Sequence, residues 1–337
     1  MTRDRWLVRG EDDRAGAAMM GLAPEQNGPD ELGNGRDRMG FRAEARMIHR
    51  YVFHNDRLAP IEETRLSPGQ AGLLNGWGLF TTLRVVSGEP FAYERHWHRL
   101  EKDAERTRLP MPHSAGAVRR HLAEVIRANE VREGTARIYL IYNRVGFWRS
   151  EESLPDVDLI LYTAGLPPYR EPVRLGLRPN GRFAAAPLCS VKTTAWLNNV
   201  WHLTEAQMAG FDEVVLLNER GEVAECTAAN VFAVQGGRVL TPPLTSGCLE
   251  GVTRGLLMEL APRLGIAMEE RTLTPGDLRG AEEMFISSTN RNLLGVGALE
   301  DHAFAGAPGL VTRRLEEAFA AYVAEYVARQ TVAQSRR

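Results

Sequence analysis

Asp212-Glu213-Val214-Val215-Leu216-Leu217-Asn218, the turn Glu219-Arg220-Gly221, and Val223-Ala224-Glu225-Cys226-Thr227-Ala228-Ala229-Asn230-Val231-Phe232 are the stretch that decides the fold. Phe211 and Val214 to Leu217 predict a strand that ends at a polar, glycine-bearing turn, and the chain returns through Val223 to Thr227. Asn230 to Val234 and Arg238 to Thr241 predict another hairpin around Gly236-Gly237. A helix follows from about Val252, burying Leu256, Leu257, Leu260 and Leu264. Hairpins mixed with helices argue against a doubly wound nucleotide-binding sheet, and the chain has neither a P-loop nor a Gly-x-Gly-x-x-Gly fingerprint. One residue in the stretch is out of place. Glu225 lies between Ala224 and Cys226 in a segment that reads as buried, and buried carboxylates are rare unless paired. As a purely structural residue it would bond to the backbone; as a functional one it needs a cation.

Upstream lies a second anomaly. Lysine and arginine number 41, but the lysines are only Lys102 and Lys192. Lys102 follows Glu101 in a polar helical run and reads as solvated. Lys192 sits in Ser190-Val191-Lys192-Thr193-Thr194-Ala195-Trp196-Leu197, among hydroxyls and apolar groups with no obvious partner charge. An amine can lose its proton and form a Schiff base with an aldehyde, whereas a guanidinium cannot. After the lysine, Leu197, Val200, Trp201, Thr204 and Met208 recur at helical spacing and predict a buried helix of about four turns.

The rest of the chain sets bounds. Its 337 residues and 37.5 kDa suit two domains. A formal charge of −2 gives no reason to expect a nucleic-acid or membrane surface. Cys189, Cys226 and Cys248 are too few and too irregular for a disulfide framework, and no cluster has metal-ligand spacing. No apolar run reaches the length of a membrane span, so the expectation is a cytoplasmic protein acting on small molecules.

Residues 1–46 mix Arg, Asp, Glu and Gly without apolar periodicity and read as a flexible extension, or as a tail that orders on a partner. A smaller α/β domain is expected over residues 47–164. It has strands at Ile48 to Phe53, Leu79 to Val86, Thr135 to Tyr142 and Val157 to Thr163, and helices at Glu94 to Arg108 and Ser114 to Asn129. The proline-bearing stretch 165–172 reads as a linker. A larger α/β domain is expected over 173–330, opening with a strand near Val173 to Leu177. It adds a strand at Met284 to Ser287 and closes with a helix from Leu310 to Val327; residues 331–337 read as a flexible tail.

If Lys192 carries an aldehyde cofactor such as pyridoxal 5'-phosphate, the chemistry asks for an acid beside the pyridine nitrogen, since a protonated ring is the electron sink. Glu225 is the candidate. The phosphate asks for backbone donors and a positive charge. Gly251-Val252-Thr253-Arg254 opens a helix, where free N–H groups favour an anion. Ser287-Ser288-Thr289-Asn290 ends a strand with small donors, and Arg99 is a candidate for the charge.

These residues resemble the fold-type IV pyridoxal-phosphate enzymes, or class IV aminotransferases. That family includes branched-chain and D-amino acid aminotransferases, aminodeoxychorismate lyase and R-selective amine transaminases. The resemblance rests on Asp212 through Phe232 and on Leu240-Thr241-Pro242-Pro243-Leu244 through Gly247, Leu249, Gly251, Thr253 and Arg254, and it runs from about Ile48 to Leu299. It implies a two-domain α/β fold of the D-amino acid aminotransferase type, with the cofactor between the domains. It further implies that Lys192 binds the cofactor covalently and moves the proton at Cα, and that Glu225 pairs with the ring nitrogen. Arg99, Val252, Thr253 and Thr289 would hold the phosphate. A homodimer is implied too, with a partner loop closing the pocket.

For the substrate, the resemblance points to Phe80, Arg144, Phe147 and Arg291. Leu197 stands where L-specific branched-chain aminotransferases usually carry a tyrosine. Arg144 matches an arginine that grips a carboxylate in the D-specific enzymes and the lyase, but the accompanying histidine would fall at Gly146. Phe80-Thr81-Thr82 looks closest to the lyase, and Arg291 is a candidate for a second carboxylate. Transfer of an amino group between an amino acid (branched-chain or D-type) and a 2-keto acid is the leading expectation. Aminodeoxychorismate lyase action, giving 4-aminobenzoate and pyruvate, is the alternative.

Overall fold

The computed structural model describes residues 48–144 and 154–335. The expected extension over 1–46, and Phe147 with it, lie outside the described residues. The fold is a two-domain α/β arrangement built on two sheets.

The first sheet comprises β1 (Tyr51–His54), β2 (Arg57–Pro60), β3 (Gly78–Val86), β4 (Glu89–Pro90), β5 (Glu133–Tyr142) and β6 (Val157–Ala164), in the order β2-β1-β6-β5-β3-β4. All its neighbours are antiparallel. Helix α1 (Ala71–Leu74) precedes β3, and α2 (Tyr93–Thr107) and α3 (Ala115–Ala128) follow β4. Leu79, Leu83, Ile138, Leu140, Leu159 and Leu161 from the strands share a core with Trp97 and Leu100 of α2 and with Val118 and Leu122 of α3. Ser114 caps α3 by accepting the N–H of Ala117 at 3.3 Å.

The second sheet comprises β7 (Val173–Arg178), β8 (Glu213–Leu217), β9 (Val223–Cys226), β10 (Asn230–Gln235), β11 (Arg238–Thr241), β12 (Met268–Glu270), β13 (Glu283–Ser288), β14 (Asn292–Leu299) and β15 (His302–Ala303). Its main path runs β12-β11-β10-β13-β14-β7-β8-β9, with β15 beside β14. Helices α4 (Leu197–Met208), α5 (Val252–Leu260), α6 (Pro275–Arg279) and α7 (Leu310–Ser335) complete the chain. Strand alternation explains the apolar run in β10. Val231 and Ala233 enter one core with Val215, Cys226 and Ile286. Phe232 and Val234 enter the other with α5 and α7, where Phe232 stacks on Phe285 at 4.6 Å.

Three sequence expectations change. The strand expected from Ile48 is reduced to Tyr51–His54, with Ile48 making only a lone bridge to Ala164. The terminal helix continues to Ser335, past the expected end at Val327. The helix after Lys192 forms, but its apolar stripe is not buried: Leu197 is 80% exposed, Trp201 60% and Met208 63%. Among the described residues this face is left largely uncovered, because α4 packs inward mainly through Asn199 and Ala206.

Candidate active site

The sheet order leaves part of β3 open. β4 pairs only with Val85 and Val86, so the edge at Gly78 to Thr81 has room for another segment. The chain around Lys192 fills it. Phe80 N–H donates to the Lys192 carbonyl at 3.1 Å, Thr194 N–H to the Gly78 carbonyl at 2.9 Å, and Leu79 bridges Thr193. Gly78 permits the approach, since a β-carbon there would come within 2.8 Å of Thr194 Oγ1. The lysine belongs to the second half of the sequence but is docked on the first sheet.

Its side chain faces a cavity of about 560 Å³ lined from both halves of the chain. The Lys192 amine lies 4.4 Å from the centre of the Phe80 ring. Burial, reinforced by Arg99, Arg137 and Arg182 and opposed by Asp103, lowers its pKa to about 7. An amine with the ordinary value near 10.4 is neutral at pH 7 only to about one part in a few thousand. This one is about half neutral, which suits nucleophilic attack on an aldehyde. Lys102 instead pairs with Glu250 on the surface of α2.

Glu225, on β9, is buried at the cavity wall. One carboxylate oxygen accepts the Leu249 N–H at 2.9 Å, and the other accepts from the Arg182 guanidinium. Arg182 was not foreseen. It follows the Pro179-Asn180-Gly181 turn in an arginine-rich chain, with no local signal to separate it from solvated arginines.

Arg99 projects from α2 and is buried; it donates to Thr81 Oγ1 at 2.9 Å and to the Glu250 carbonyl at 3.3 Å. Thr81 Oγ1 also lies 2.9 Å from His96 Nδ1. The neutral Nε2–H tautomer of His96 lets the Thr81 hydroxyl accept from Arg99 and donate to Nδ1 at the same time. Burial holds the His96 pKa well below the usual range, and the charges of Arg99 and Lys192 act in the same direction.

Facing Arg99 are two backbone ends. Val252 and Thr253 form the first turn of α5, whose N-cap Gly251 offers no side-chain cap. Ser287 to Asn290 close β13 and also line the cavity. Ser287 Oγ is buried there without a hydrogen-bond partner. Uncapped helical N–H groups, an orphaned hydroxyl and a buried guanidinium together suit a phosphate. With Lys192 for an aldehyde and Glu225 for a protonated ring nitrogen, the residues present fit pyridoxal phosphate.

The proposed substrate residues divide. Phe80 lines the cavity, stacked on Tyr139 at 5.2 Å with Trp196 edge-on at 6.2 Å. Arg144 is not brought to the cavity: it donates to Asp156 at 2.7 Å and to the Leu154 carbonyl at 2.6 Å. Arg291 lines the wall, but its guanidinium is matched by the protein. It pairs with buried Glu213 at 3.0 Å, donates to the Ala228 carbonyl at 2.9 Å and lies 4.8 Å over the Tyr169 ring. Leu197 points to solvent. Arg137, missed in the sequence, lines the cavity instead, donating to Tyr139 Oη at 2.8 Å beside the Phe80 ring. Its signal was present in β5, where Arg137 and Tyr139 alternate with the buried Ala136, Ile138 and Leu140.

Comparison with known proteins places the family and the fold. Residues 78–299 match the family described as Amino-transferase class IV. The chain is 27% identical over 280 residues to D-alanine aminotransferase from Bacillus licheniformis, spanning 79% of this chain and 95% of that one. It is 27% identical over 275 residues to aminodeoxychorismate lyase from Bacillus subtilis, spanning 79% and 92%. The structure of branched-chain amino acid aminotransferase from Escherichia coli superposes with a TM-score of 0.75 at 25% identity, covering 82% of this chain and 94% of that one. On the match over residues 78–299 and the shared architecture, this chain belongs to the class IV aminotransferases, the fold-type IV pyridoxal-phosphate enzymes.

Proposed function

We propose that the protein is a pyridoxal-phosphate-dependent aminotransferase that moves an amino group between an amino acid, of the branched-chain or D type, and a 2-keto acid. The observation that carries this reading is the Lys192 amine, with its pKa lowered to about 7, in one cavity with Glu225 and an anion-binding cup. Bound pyridoxal phosphate supplies a sink for the electrons of a broken Cα–H bond. The neutral Lys192 amine takes the proton at Cα and returns it. Glu225, whose carboxylate accepts from Arg182 and the Leu249 N–H, would be the acidic partner of the ring nitrogen. Arg99, Val252, Thr253, Thr289 and Ser287 hold the phosphate. Among the cavity's cations, Glu225 matches Arg182 and Glu213 matches Arg291, while Arg99 serves the phosphate. Arg137 is left for the substrate carboxylate.

A second reading, lyase action on aminodeoxychorismate, draws on Phe80-Thr81-Thr82 and on the likeness to the Bacillus subtilis lyase. In the fold the Thr81 hydroxyl is committed to Arg99 and His96, which leaves Phe80 and Thr82 facing the cavity. When both enantiomers of alanine, glutamate and the branched-chain amino acids are each added alone, at least one should convert bound cofactor to its amine form, followed by absorbance. No conversion by any of them, with 4-aminobenzoate released from aminodeoxychorismate, would replace the first reading by the second.

We further infer a homodimer. The exposed stripe of Leu197, Trp201 and Met208 on α4, and the exposed Phe183 and Leu188 at the cavity, are apolar surface of the kind a second copy covers. Light scattering that finds only monomer at micromolar concentration would remove this inference. The three cysteines are free thiols, which supports a reducing, cytoplasmic setting.

A further inference from the structure

Helix α2 supplies more to the site than the phosphate arginine. His96, Arg99, Asp103 and Arg106 recur along one side of it, at spacings that bring them over the same neighbour. The first two form the relay through Thr81. The second two reach the segment that leads into the lysine. Arg106 donates to the carbonyls of Pro187 at 3.1 Å and Cys189 at 2.9 Å, and to Ser190 Oγ at 3.3 Å. Asp103, buried, accepts the main-chain N–H of Lys192 at 3.3 Å. On the other side of the lysine, Phe80 and Gly78 hold the Lys192 carbonyl and the Thr194 N–H.

An uncompensated carboxylate is costly to bury, and packing alone would be met as well by leucine. Burial raises the Asp103 pKa, and Arg99, the Lys192 N–H, Arg106 and the Lys192 amine oppose that rise, so the groups it arranges are the ones that favour its charge. It is also the anion that opposes Arg99, Arg137 and Arg182 around the lysine amine.

We propose that Asp103 and Arg106 are positioning residues for Lys192, clamping the Pro187-to-Lys192 backbone onto the helix that carries Arg99. One rigid element then sets both the anion anchor and the amine, so their separation does not depend on the loop before the lysine. This role rests on the reading of Lys192 as the cofactor-binding amine.

The two lysines make the test clean. In the full chain without cofactor, competitive acylation at a series of pH values reads Lys192 against Lys102, an exposed reference in the same molecule. Asp103→Asn keeps an acceptor oxygen but loses the charge. It should lower the Lys192 labelling midpoint by about half a pH unit or more, because a neighbouring anion that favoured the protonated amine is gone. The groups that remain around the amine are Arg99, Arg137, Arg182 and His96, with the Phe80 ring. Arg106→Met, at an exposed position, loses the hydrogen bonds to the loop. It should raise the dissociation constant for pyridoxal phosphate about tenfold while the melting temperature of the unloaded chain stays within a few degrees. Wild-type cofactor affinity in Arg106→Met together with a wild-type Lys192 midpoint in Asp103→Asn overturns the proposal. So does a fall in melting temperature with neither change, which marks a merely structural pair. If wild-type Lys192 labels like Lys102 and takes up no cofactor, the functional reading falls as well, and this role with it.

Discussion

Phe80 and Lys192 are joined twice: the Phe80 N–H donates to the Lys192 carbonyl at 3.1 Å, and the lysine amine lies 4.4 Å from the centre of the Phe80 ring. The backbone bond fixes where the lysine starts, and the ring helps keep water from where it ends. The amine's pKa of about 7 follows chiefly from burial. Capture of an aldehyde requires the neutral amine, so its rate should rise with pH, reach half its maximum near pH 7 and level off above. Stopped-flow absorbance of pyridoxal phosphate uptake between pH 5.5 and 10 measures this. A rate still climbing at pH 10 would mean an ordinary lysine.

Phe80→Ala separates two opposed effects at the same position. A cation over an aromatic face gains about 0.5–2 kcal/mol, so losing the ring would lower the midpoint by about one and a half units at most. Rehydration acts in the other direction, and burial is able to shift a lysine by about 3–5 units. Desolvation is the larger effect, so the uptake midpoint in Phe80→Ala should move above 7. A downward move would show that the ring acts mainly as a cation partner.

Two residues that the fold brings to one cavity were conspicuous before it. Lys192 stood out because arginine had replaced nearly every other lysine, and Glu225 because a carboxylate interrupted an apolar strand. Both are local signals. The partners that tune them are not local: Arg182 meets Glu225 only once β7, β8 and β9 are laid side by side, and Asp103 meets Lys192 only after the two halves of the chain are assembled. Arg291 shows the reverse failure. Its type and place suggested a substrate grip, but the buried partner Glu213 lies on a distant strand that no spacing reveals. The same limit applies to α4, whose 3.6-residue stripe was real while its burial was not. Periodicity says which residues share a face and nothing about whether one copy of the chain covers it. β14 escaped notice because Gly295 and Gly297 interrupt the apolar pattern of Leu293, Leu294 and Val296.

The His96–Thr81–Arg99 relay predicts an indirect effect on phosphate. Thr81→Val removes the oxygen that accepts from Arg99 and the proton given to His96. Leaving a charged donor without its partner costs about 1.5–3 kcal/mol, so affinity for pyridoxal phosphate should fall by about ten- to a hundredfold. Thr81→Ser keeps the hydroxyl and should stay close to wild type. Equal affinities for the Val and Ser variants, in a fluorescence titration, would show that Arg99 is held by other contacts.

Arg137 and Arg144 compete for the substrate carboxylate, and kinetics distinguish them. Arg137 lines the cavity, whereas Arg144 is engaged by Asp156 and the Leu154 carbonyl. Arg137→Met should raise KM for the amino acid by about ten- to a hundredfold, the worth of one charge-assisted pair, with cofactor affinity unchanged. Arg144→Met in the same chain should change KM by less than about threefold. A larger KM effect from Arg144 would mean that the carboxylate is gripped from outside the cavity of its own chain.

Arg291 is expected to act on stability rather than on substrate. Its guanidinium pairs at 3.0 Å with Glu213, which also accepts the Thr227 hydroxyl and the N–H groups of Thr227 and Val214. Removing one member of a buried pair leaves the other uncompensated and costs about 3–5 kcal/mol. Arg291→Met should therefore lower the melting temperature by about 4–7 °C, at roughly 1.4 °C per kcal/mol for a chain of 337 residues. Glu213→Gln together with Arg291→Met should recover part of that loss, because a neutral amide needs no cation and can still accept from Thr227. KM of whatever protein remains folded should be near wild type in both. A KM raised tenfold with an unchanged melting temperature would return Arg291 to the substrate site and leave Glu213 as its orienting partner.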